Sequence, residues 1–92
     1  MNPEIIISEK VKDAVRSLYG FEADSESFQI QATRKEFEGD YTVVVFPLLK
    51  ISKKSPETTG NEIGEYLVSK SPVIEKYNVV KGFLNLKLSP VY

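Results

Sequence analysis

Apolar residues near the start of the chain recur at helical spacing. Ile7, Val11, Ala14, Val15 and Leu18 share one side, while Lys10, Lys12, Asp13 and Arg16 fill the other. Asn2 suits the N-cap, Pro3 the first helical position, and Glu4 complements the helix dipole. Gly20 offers the stop, so the pattern predicts a helix over residues 3–19. Glu22 to Ser27 is polar and acidic, a loop. The period then switches to two: Phe28-Gln29-Ile30-Gln31-Ala32-Thr33 alternates apolar and polar, as a half-buried strand does. The chain turns again in the charged, glycine-containing stretch Glu36 to Asp40.

The segment from Tyr41 to Ile51 carries two patterns at once. Thr42-Val43-Val44-Val45-Phe46 is β-branched and reads locally as a buried strand. Yet Val44, Leu48 and Ile51, or Val45, Leu48 and Leu49, also share one side of a helix, with Pro47 in its middle. Beyond it, Ser55-Pro56-Glu57 repeats the cap, proline and acid signature and opens a helix through Ser69. Ile63 and Leu67 are its expected core residues, flanked by Tyr66, and Gly60 and Gly64 permit close packing. Ser71-Pro72 starts a short turn, and Tyr77 to Leu88 reads as two short strands around Lys81-Gly82. The whole is an α+β chain: a small antiparallel sheet of three to four strands against about three helices.

Composition narrows the chemistry. Ninety-two residues make one small domain, 41% of them apolar and 27% charged. With no cysteine and no histidine, neither a thiolate or imidazole zinc site nor a histidine-dependent triad can be built. Glu36, Glu38 and Asp40 sit in a turn without a partner base or nucleophile, and Gly60 to Gly64 lacks the lysine of a phosphate loop. No metal or cofactor is therefore expected here. No apolar run approaches the roughly 20 residues of a membrane span, and Met1-Asn2-Pro3-Glu4 is not the start of a signal peptide. The expectation is a cytoplasmic, monomeric domain with no membrane partner. A net charge of −1 is not the basic footprint of an independent nucleic-acid binder.

Function is most legible in Lys81-Gly82-Phe83-Leu84-Asn85-Leu86-Lys87-Leu88. As a strand, it gives Leu84, Leu86 and Leu88 to the core face and Phe83, Asn85 and Lys87 to the other. A ring for stacking, an amide for a base edge and a cation for phosphate are what reading single-stranded RNA requires. The same alternation also fits a structural strand, in which Phe83 packs under a loop, Asn85 satisfies backbone groups and Lys87 solubilises an edge. Lys50, Lys53 and Lys54 form a second basic cluster, suited either to phosphate contacts or to a solvated helix end.

Three blocks occur in an order resembling arginyl-tRNA synthetases. They are Glu38-Gly39-Asp40-Tyr41 before an apolar run, Leu49-Lys50 to Lys54-Ser55-Pro56-Glu57 with Ile63 following, and Val80-Lys81-Gly82-Phe83-Leu84-Asn85-Leu86. The resemblance, over residues 36–88, is to that family's N-terminal additional domain, which contacts the D-loop at the tRNA elbow. It implies tRNA(Arg) as partner, with Phe83 and Asn85 at the family's aromatic and amide positions; Lys87, read from the strand alternation, and Lys81 complete the candidate RNA-binding set. It also implies a catalytic domain in the same chain that uses ATP with magnesium. That domain is absent here: its H-x-G-H signature needs histidine, and Ser89-Pro90-Val91-Tyr92 falls where a linker to it would begin. The chain departs from the family in carrying Val80-Lys81-Gly82 where Gly-Pro-Gly is usual. The family's helix after the first block sets the expectation of a helix over residues 41–53, against local propensity. The competing functional expectation is a protein-docking module using an exposed strand or the Phe21/Phe37 surface.

Overall fold

The computed structural model describes residues 2–24 and 27–90; Met1, Ser25, Glu26, Val91 and Tyr92 lie outside it. Parts of the expected Glu22–Ser27 loop and of the expected linker at the C-terminus are thus outside the described residues. Helix α1 (Pro3–Tyr19) is followed by strands β1 (Gln29–Ala32) and β2 (Tyr41–Val44), a 3-10 turn (Phe46–Leu48) and the one-turn α2 (Leu49–Ser52). Helix α3 (Pro56–Lys70) and strands β3 (Ile74–Val80) and β4 (Phe83–Leu88) complete the fold. The expected α+β class is correct: four antiparallel strands in the order β1-β2-β4-β3 carry the helices on one face.

Local chemistry explains the helix ends. The Asn2 side chain accepts from the Glu4 N–H at 2.9 Å, and Gly20 closes α1 by donating to the Arg16 carbonyl. Ser55 caps α3 by accepting from the Thr58 N–H at 3.1 Å. Each cap satisfies a donor or acceptor that the helix cannot pair internally. Ile7, Val11, Ala14 and Val15 are buried as their spacing required, but Leu18 is 40% exposed and lies beyond the core stripe. On α3, Ile63 and Leu67 are buried and Tyr66 packs at the core margin.

The helix expected over residues 41–53 is corrected. Tyr41–Val44 is a central strand, paired with β1 on one side and β4 on the other, and helical structure begins only at Phe46. Two ladders of hydrogen bonds and stiff valine side chains favour extended backbone here. Pro47 then falls in the first turn of the 3-10 segment, where its missing N–H costs no helical bond. The later half of the expectation survives as the 3-10 turn and α2. Strand β3 begins at Ile74, three residues before Tyr77, where the expected strands start.

Cross-strand register sorts the sheet into two faces. Val79, Leu84, Val43 and Ile30 form one row and Tyr77, Leu86, Tyr41 and Ala32 the next, all toward the helices. The intervening rows, Asn78-Asn85-Thr42-Gln31 and Val80-Phe83-Val44-Gln29, point to the opposite face. The predicted alternation of β4 is therefore correct: Leu84 and Leu86 are fully buried and Leu88 packs at the margin.

Candidate functional site

The sheet face opposite the helices is not bare. Residues 33–40, between β1 and β2, fold across part of it as a strap, held at its far end by the Asp40 N–H donating to the Leu86 carbonyl at 2.8 Å. Gly39, at φ 145°, lets the strap sit directly on Asn85: a Cβ built there would lie 3.2 Å from the Asn85 Cβ. Asn85 is consequently 0% exposed.

Burial makes every polar contact of Asn85 matter, because an unmade hydrogen bond cannot be replaced by water. Its Oδ1 accepts from the Thr42 hydroxyl at 2.6 Å, and its Nδ2 donates to Asn78 Oδ1 at 2.9 Å. Asn78 Nδ2 in turn donates to the Glu38 carbonyl in the strap at 2.8 Å. Thr42 has one hydroxyl proton and the Asn85 carbonyl cannot donate, so the 3.0 Å contact between Thr42 and Thr33 must use the Thr33 proton. The result is a one-directional relay from Thr33 through Thr42, Asn85 and Asn78 to Glu38, fixing both amides in one orientation. Asn85 thus does not offer its amide to solvent, as the base-reading role expected of it requires. It holds the strap on the sheet.

Charges on this face are partly neutralised. Lys76 lies 2.7 Å from Glu38, and Lys87 lies 3.8 Å from Asp40. The hydrogen bond with Lys76 holds the Glu38 carboxyl below its usual range, and Glu38 reciprocally raises the Lys76 ammonium. Both groups are solvated, so this bridge is easily exchanged. Asp40 also accepts from the Leu88 N–H at 2.8 Å, clamping the end of β4.

At the other end of β4 the picture differs. Lys81 and Gly82 form the two-residue β3–β4 turn, both with positive φ (51° and 82°), as a type I′ hairpin requires. A proline at position 81 could not take that φ, so the departure from Gly-Pro-Gly has a physical consequence: the turn is built differently. Gly82 carries no side chain, and the Phe46 ring fills the space; a Cβ there would be 2.6 Å from Phe46 Cζ. Phe46 meets Phe83 nearly perpendicularly, with centroids 6.0 Å apart, and the Arg34 guanidinium lies 5.9 Å from the Phe83 centroid. Phe83 is half-buried, whereas Phe46 is 46% exposed. Phe46 and Arg34 were not among the expected site residues. A large ring placed immediately before Pro47 was the available signal for the first; nothing local marked the second.

The lysines divide into two sets. Lys54 donates to Glu62 at 2.6 Å beside the Tyr19 ring, and Tyr19 donates to the other Glu62 oxygen at 2.7 Å. This network, with Lys54 first, holds the Glu62 carboxyl below its usual range. Burial, then Glu62, pushes the Tyr19 phenol well up. Lys50, Lys53, Lys81 and Arg34 are exposed, and among the described residues none of them forms an ion pair with a carboxylate. Lys81 sits in the hairpin turn two residues before Phe83, and Arg34 supplies the cation over the Phe83 ring. The structure leaves Lys87 about 13 Å along the strand from Phe83, at the strap end.

Residues 6–88 match the family described as the arginyl tRNA synthetase N-terminal domain. The chain belongs to that family. Among curated proteins it is similar to the arginine–tRNA ligase of Parabacteroides distasonis, with 45% identity over 92% of this chain and 15% of the relative. The ligase of Bacteroides thetaiotaomicron is 51% identical over 86% of this chain and 13% of that protein. The chain thus spans about a seventh of the length of these relatives. In fold it resembles Thermus thermophilus arginyl-tRNA synthetase, with a TM-score of 0.77 and 24% identity over 96% of this chain and 14% of the other.

Proposed function

We propose that this chain is the tRNA-contacting N-terminal domain of a cytoplasmic arginine–tRNA ligase. It engages the D-loop at the elbow of tRNA(Arg) and positions it for aminoacylation by a catalytic domain elsewhere in the same protein, where ATP and magnesium act. One observation carries the reading: a half-buried Phe83 at the rim of the sheet, with the Arg34 guanidinium over its ring and Lys81 in the adjoining turn, neither cation paired with a carboxylate among the described residues. Unpaired loop nucleotides are held by that combination of ring and cations. Lys50 and Lys53 add free charge for phosphate. Lys87 and Lys54 offer phosphate less charge because Asp40 and Glu62 lie beside them, and Asn85 acts through the relay that fixes the strap.

The experiment is aminoacylation kinetics of the full-length ligase carrying Phe83→Ala. The expected result is a raised KM for tRNA(Arg), with KM for arginine and ATP and the rate at saturating tRNA little changed. Unchanged tRNA dependence would remove Phe83 from the interface. Unchanged tRNA dependence combined with loss of contact to the rest of the protein would favour the docking alternative.

A further inference from the structure

We propose that Phe46, rather than Phe83 alone, presents the stacking surface to an unpaired RNA base, with Gly82 as its seat and Arg34 and Lys50 as flanking phosphate partners. The inference deepens the tRNA-contact reading and rests on it.

Phe83 is half-buried: Val80 and Val44 flank it across the strands, the Arg34 guanidinium lies over its ring, and the Phe46 ring meets it perpendicularly. A base stacking on Phe83 would have to displace one of these neighbours. Phe46 is the more open ring, at 46% exposure. Its position is fixed rather than loose. Pro47 follows it directly, the Val45 N–H donates to the Gly82 carbonyl at 3.4 Å, and the ring lies against Gly82, where any side chain would collide with it. A rigid, exposed ring loses little freedom when a flat partner stacks on it.

Charge selects the partner. Arg34, Lys50 and Lys81 are all exposed and free of carboxylate partners among the described residues. Lys50 lies four residues beyond Phe46, across the 3-10 turn and into α2, and is exposed as Phe46 is. An anionic ligand with flat faces satisfies both features, and an unpaired stretch of nucleic acid supplies them together; under the tRNA-contact reading that stretch is RNA.

The test compares Phe46→Leu, Phe46→Tyr and Phe83→Leu in the full-length ligase, measuring KM for tRNA(Arg) and the melting temperature of each variant. Phe46→Leu is expected to raise KM about 10-fold at unchanged melting temperature. Phe46→Tyr, which restores a ring, should return KM to near the wild-type value. If Phe83→Leu raises KM while Phe46→Leu does not, the inference fails and the tRNA-contact reading stands. If neither variant alters KM, both fail. If Phe46→Leu lowers the melting temperature without changing KM, the ring packs against another part of the protein, and the inference is again overturned.

Discussion

Replacing Asn85 by aspartate changes one donor into an acceptor at the centre of the relay, and its consequence depends on pH in a calculable way. The neutral acid can imitate the amide: its carbonyl accepts from Thr42 and its hydroxyl donates to Asn78 Oδ1, across the 2.6 and 2.9 Å contacts seen here. The carboxylate cannot donate, and at a position with 0% exposure it has lost its hydration. Burial therefore raises the folded-state pKa above the unfolded value of about 3.9. A group raised in this way leaves stability intact below the unfolded pKa and loses it as pH rises toward the folded pKa. The loss is about 1.4 kcal/mol per pH unit, and a shift of about 3 units would cost about 4 kcal/mol at pH 7. A domain of this length has only about 5–14 kcal/mol to lose. The measurement is urea unfolding followed by far-ultraviolet circular dichroism, comparing Asn85→Asp with wild type at each pH from 3 to 7, so that other titrating groups cancel. Asn85→Ala is the control: its penalty, about 2–3 kcal/mol from the unpaired Asn78 oxygen and the cavity, should not vary with pH. A difference between Asn85→Asp and wild type that is small and flat across this range would refute the buried relay. It would return Asn85 to the solvent-facing role suggested by the sequence.

Other consequences follow from the same contacts. Gly64→Ala would place a Cβ 2.5 Å from Tyr77 Cδ2, whereas at Gly60 the nearest Val79 methyl is 3.0 Å away. Gly64→Ala should destabilise by about 1–2 kcal/mol in thermal unfolding despite a gain in helix propensity of about 1 kcal/mol, and Gly60→Ala should lie nearer neutral. In a spectrophotometric titration, Tyr19 should ionise well above an ordinary tyrosine, and Glu62→Gln should bring it down. Because its folded-state pKa is raised, Tyr19 contributes stability that is present below about pH 10 and lost as pH climbs through the folded value. Lys50→Ala and Lys53→Ala should weaken binding of tRNA and flatten its salt dependence, whereas Lys54→Ala should act mainly on the contact between Glu62 and Tyr19. Equal effects of all three lysines on the salt slope would contradict this division.

What the sequence by itself determined was local. Asn2, Pro3 and Gly20, and Ser55 and Pro56, marked helix ends because a cap acts within a few residues of its target. The alternation from Phe83 to Leu88 set the two faces of β4 because a strand has a period of two whatever it pairs with. Tertiary structure decided the rest. The Thr42–Phe46 run had strand propensity, yet the resemblance suggested helix; pairing to both β1 and β4 made its first part, up to Val44, a central strand. Asn85 looked like an exposed amide because nothing near it in sequence announced that Gly39 would cover it. The partners that bury and orient it, Thr42 and the strap, lie more than 40 residues away. Phe46 acquired its seat in the same way, from a glycine in a distant hairpin. Periodicity and caps are written in neighbouring residues, whereas burial, relay direction and exposed rings depend on which distant segments the sheet brings together.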